Sequence, residues 1–82
     1  MTKKMNFSGK ALQEELQREA RALKIPSGTA DVIVGKITEQ VEKWVEKRAA
    51  VTIDDIHRRV ALEAEKYNAD LAYVYQNRGK II

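Results

Sequence analysis

Along most of this chain apolar residues recur at steps of three and four, and no stretch alternates for long enough to read as a strand. Leu12, Leu16, Ala20 and Leu23 share one stripe, which predicts a first helix over about 9–23. Ser8 stands before it as an N-cap. Phe7 and Leu12 have the spacing of a hydrophobic staple, and Glu14 and Arg18 an i,i+4 pairing. The only cluster of breakers is Ile25-Pro26-Ser27-Gly28-Thr29, which ends that helix.

A second, longest helix is expected over about 30–48, with Ala30, Val34, Ile37, Val41, Trp44 and Val45 as its buried face. Gly35 falls in its middle, where it costs about 1 kcal/mol relative to Ala unless close packing requires it. After Ala49-Ala50, Thr52 reads as the cap of a third helix. Asp55 completes a capping box with a shorter acid than usual, and Val51 and Ile56 form its staple. Ile53, Ile56, Val60 and Ala64 make the stripe. Asn68 caps a short fourth helix to about residue 77, with Leu71, Ala72, Val74 and Tyr75 inward and Gly79 at its end. The fold class is therefore all-α, a compact four-helix domain over 8–78. A basic segment over 1–7 precedes it and a tail over 79–82 follows.

Composition adds limits. With 82 residues and no Cys, the chain has room for one small core and lacks disulfide staples, thiolate ligands and thiol nucleophiles. No apolar run approaches the roughly 18 residues of a membrane helix, so a soluble, cytoplasmic protein with no membrane partner is expected. The net charge of +3 is localised. Lys3, Lys4 and Lys10 carry it, while the helical segments nearly balance their acids and bases. A basic nucleic-acid face on the folded part is not expected.

The inventory predicts no enzyme. His57 is the single histidine, beside Arg58 and Arg59, and reads as surface. Ser8 and Ser27 hold cap positions with no histidine at activating distance in sequence, and the glycines are isolated rather than gathered in a phosphate loop. Asp54 and Asp55 read as helix-capping acids rather than metal ligands. Arg58 and Arg59 diverge by about 100° on a helix, so they do not aim at one ligand.

Three stretches carry a family likeness. They are Phe7 with Leu12, the segment Thr52-Ile53-Asp54-Asp55-Ile56 with Val60, and Leu71-Ala72-Tyr73-Val74-Tyr75 with Arg78. In order and spacing they resemble the helical part of the ATP-cone, the domain that regulates ribonucleotide reductases and the transcriptional repressor of their genes. The chain departs from that family in having only Met1 to Asn6 ahead of Phe7, too few for the family's N-terminal β-hairpin. Ala11 also replaces the family's lysine four residues after the Phe. The resemblance implies a non-catalytic regulatory or interaction module. ATP or dATP would act as its effector, and a protein partner or a second copy would be its other contact. Its tentative nucleotide-binding residues are Lys3, Lys4, Lys10 and Arg18. Lys47-Arg48 followed by Val51-Thr52-Ile53-Asp54-Asp55-Ile56 is also similar to the histone fold, which implies a dimeric DNA-binding protein as the alternative.

Overall fold

A computed structural model describes residues 7–78 as four helices: α1 (Gly9–Ala22), α2 (Ser27–Glu46), α3 (Ile53–Ala64) and α4 (Ala69–Arg78). The all-α, four-helix expectation holds. No strand occurs among the described residues. The basic segment before Phe7 and the tail after Arg78 lie outside them.

The predicted caps form. Ser8 Oγ accepts from the Ala11 amide at 3.2 Å. Thr52 and Asp55 exchange side-chain-to-backbone hydrogen bonds at 3.1 Å in a full capping box. Asn68 Oδ1 accepts from the Leu71 amide at 2.9 Å. Each satisfies a first-turn amide that has no partner within its own helix.

Two boundaries differ from the sequence expectation. α2 begins at Ser27, three residues early, because Ala30 N donates to Pro26 O at 2.8 Å. Its first turn absorbs Ser27, Gly28 and Thr29, whose amides need no intrahelical acceptor there. α1 ends through Lys24, which has a φ of 62°. Lys24 N donates to Arg21 O at 2.9 Å and Ile25 N to Ala20 O at 3.0 Å, which is a Schellman closure with lysine where glycine is usual.

The core gathers Leu12 and Leu16 of α1 with Ile33, Val34, Ile37, Val41 and Val45 of α2. Ile56, Val60, Ala61 and Ala64 of α3 and Leu71, Ala72 and Tyr75 of α4 complete it, with Val51 closing one end. Ile33 and Thr38 join the α2 face unforeseen. Trp44 packs only at the edge of the core, and Ile53, expected inside, is 51% exposed. Ile53 is the first residue of α3, directly after the Thr52 cap. A Cβ built on Gly35 meets nothing within 4 Å, so packing within this chain does not require that glycine. The packing runs in chain order: α1 on α2, α2 on α3, and most extensively α3 on α4.

Candidate functional site

His57 is not plain surface. It projects from α3 toward α1 and α4, and its ring meets that of Tyr75 edge-on, with centroids 5.8 Å apart. Tyr75 is 1% exposed, and its hydroxyl donates to Glu15 Oε1 of α1 at 2.7 Å. Residues 60 apart in the chain are thereby joined.

His57 also divides two hollows. On one side a cleft of about 160 Å³ lies between the first turns of α1 and α3, lined by Phe7, Ser8, Ala11 and Glu15 with Ile53 and His57 among others. On the other a groove of about 550 Å³ runs between α3 and α4. Its apolar floor is Ala61 and Tyr75, and its rim includes the exposed Leu62 with Asp54, Arg58, Glu65 and Gln76. Gln76 Nε2 donates to Glu65 Oε2 at 2.8 Å and ties the two walls. The groove falls within the size range of small-ligand pockets, whereas the cleft is smaller.

The sequence candidates are scattered. Lys3 and Lys4 lie outside the described residues. Lys10, in the first turn of α1, and Arg18 are both exposed and line neither hollow. Eight helical positions put them roughly 12 Å apart along the axis and about 80° around it. The opening of α1 has another charge beside it. A Cβ on Gly9 would run into the Glu42 carboxylate of α2, so that acid stands against the start of a helix whose own first turn has none.

Asp54 and Asp55 part company. Asp55 is committed to the cap, and its hydrogen bond from the Thr52 backbone amide is the chief cause that holds its carboxyl below the usual value of 3.8. Asp54 lines the groove. No group of three or more His, Cys, Asp or Glu side chains placed to hold a metal ion occurs among the described residues. No helix there is long and apolar enough to cross a membrane.

Arg58 and Arg59 diverge as expected: Arg58 lies on the rim of the groove and Arg59 on the far side of α3. Arg59 pairs with Glu63 of its own helix and lies over Trp44 of α2. Glu63, 2% exposed, is the buried charge that helical periodicity did not single out. Its place four residues after Arg59 and three before Lys66 was the available signal.

Fold and hollows together define a small all-α protein with a polar aromatic junction between α1, α3 and α4. No family model matches this chain, nor does any curated protein or solved structure.

Proposed function

We propose that this chain is a small, cytoplasmic, non-catalytic regulatory module that resembles the helical part of an ATP-cone and takes ATP or dATP weakly as an effector. The observation that carries this reading is the cleft between the first turns of α1 and α3. It lies beside the first turn of α1, which carries Lys10, and Lys3 and Lys4 precede that turn in the sequence. Phe7 and Ile53 offer apolar surface to the cleft, and Ser8, Glu15 and His57 are its polar groups. Glu42 at the start of α1 opposes a phosphate there and keeps the expected affinity low. A protein partner or a second copy would read out the effector.

Titration of the intact chain with ATP and dATP, followed by amide chemical shifts, tests this. Saturable shifts at Phe7, Ala11, Ile53 and His57, reduced by Lys10→Gln, are expected. Absence of shifts there at millimolar nucleotide refutes the effector role. Retardation of duplex DNA with a steep salt dependence would replace it with the histone-type reading.

A further inference from the structure

The groove between α3 and α4 is separate from the effector cleft, and its α3 wall carries an ordered row. Asp54, Arg58, Leu62 and Glu65 line it at steps of four, four and three, so they stand along one strip of the helix. Leu62 is 55% exposed, a large apolar side chain standing clear of its own core. Beside it the groove floor is buried Ala61, which offers only a methyl group. A projecting leucine next to an alanine-floored hollow is a knob and a hole on one surface.

The charges of the row say which surface fits it. Arg58 and Glu65 are seven positions apart, about 20° around the helix and about 10.5 Å along it. Arg58 has no carboxylate within 4.0 Å among the described residues, and its charge acts on Asp55 from beyond that distance. Glu65 accepts one hydrogen bond, from Gln76, and a carboxylate can accept several. Laid antiparallel against a second copy, about a two-fold axis midway between Ala61 and Leu62, the row is self-complementary. Arg58 then comes level with Glu65 of the second copy, and the pairing occurs twice. Leu62 comes level with Ala61 of the second copy, so each knob meets the other's hole. Asp54 falls past the end of the facing helix. An axis two residues earlier would set Asp54 against Glu65, and one two residues later would set Leu62 against Glu65. Charge and apolar surface therefore select the same register.

We infer that the α3–α4 face is a homodimer interface, in which Leu62 of each copy enters the groove of the other and Arg58 pairs with Glu65 across a two-fold axis. The two helical hairpins then form a four-helix bundle. The inference names a second copy as partner and does not rest on the effector reading, because groove and cleft lie on opposite sides of His57.

Sedimentation equilibrium of the intact chain without nucleotide, from about 1 μM to about 1 mM, tests it. The mean mass is expected to rise from 9.3 kDa toward twice that value. Leu62→Ala removes a side chain exposed in the single copy and is expected to weaken association by about tenfold or more. Arg58→Glu and Glu65→Arg each set like charges level across the axis and are expected to abolish it. The double variant Arg58→Glu/Glu65→Arg restores opposite charges and is expected to recover the dimer. Lys36→Gln, exposed on α2, leaves association unchanged. Circular dichroism checks that each variant is folded, and where a charge reversal unfolds the chain Leu62→Ala decides. A 9.3 kDa species at every concentration overturns the inference, as does association untouched by Leu62→Ala. A folded double variant no more dimeric than the single reversals overturns the two-fold pairing of Arg58 with Glu65.

Discussion

At the scale of single residues, two positions spend stability on backbone conformation. Lys24 adopts a left-handed φ that disfavours a side chain with a Cβ, and Gly35 sits exposed within α2 where no neighbour requires it. Lys24→Gly and Gly35→Ala should each raise the unfolding free energy by about 0.5–1 kcal/mol in urea denaturation. Gly35 was visible in the sequence as a cost. Lys24 was not, because a Schellman closure is normally read from a glycine and the nearby proline offered a competing reason for the helix to end. Glu63 and Trp44 were obscured for a related reason. Periodicity marks where apolar side chains belong and says nothing about a carboxylate drawn inward by two cations. It likewise placed the indole in the core, although the ring is only partly buried and has Arg48 and Arg59 over it.

At the scale of elements, the helices and their caps were largely legible. The three N-terminal side-chain caps at Ser8, Thr52 and Asn68 were expected from residue type and spacing, and all three make their hydrogen bonds. The capping box of α3 has a pH signature. Because the folded state holds the Asp55 carboxyl below its ordinary value, its ionised form contributes stability above about pH 4. That contribution is lost as pH falls through the lowered value. Asp55→Asn should therefore be less stable than wild type at neutral pH and should converge toward it in acid, a comparison that urea unfolding at a series of pH values checks. The start of α2 was less legible, because Ser27, Gly28 and Thr29 read as breakers in isolation. In a first turn their weak propensity costs little.

At the scale of the whole molecule, the sequence carried the number and order of helices but not which faces meet. His57 looked like surface because its neighbours are two arginines. Only the crossing of α3 with α4 shows that it contacts Tyr75, and that Tyr75 reaches Glu15. The Tyr75 hydroxyl joins α1 to α4 although their sequence positions are remote. Tyr75→Phe should cost about 1.5–3 kcal/mol, the worth of a hydrogen bond to a charged acceptor. Amide hydrogen exchange should then speed up most in α1, which otherwise leans on α2.

The packing in chain order also has a kinetic side. When each helix rests mainly on the one before it, most contacts close short loops, and chains of that kind cross their folding barrier in microseconds to milliseconds. Assembly from α3 and α4 outward would leave the Glu15–Tyr75 bond, which spans 60 positions, among the last to form. The contact that holds the cleft and the groove in register would then be the one the chain gives up first on unfolding.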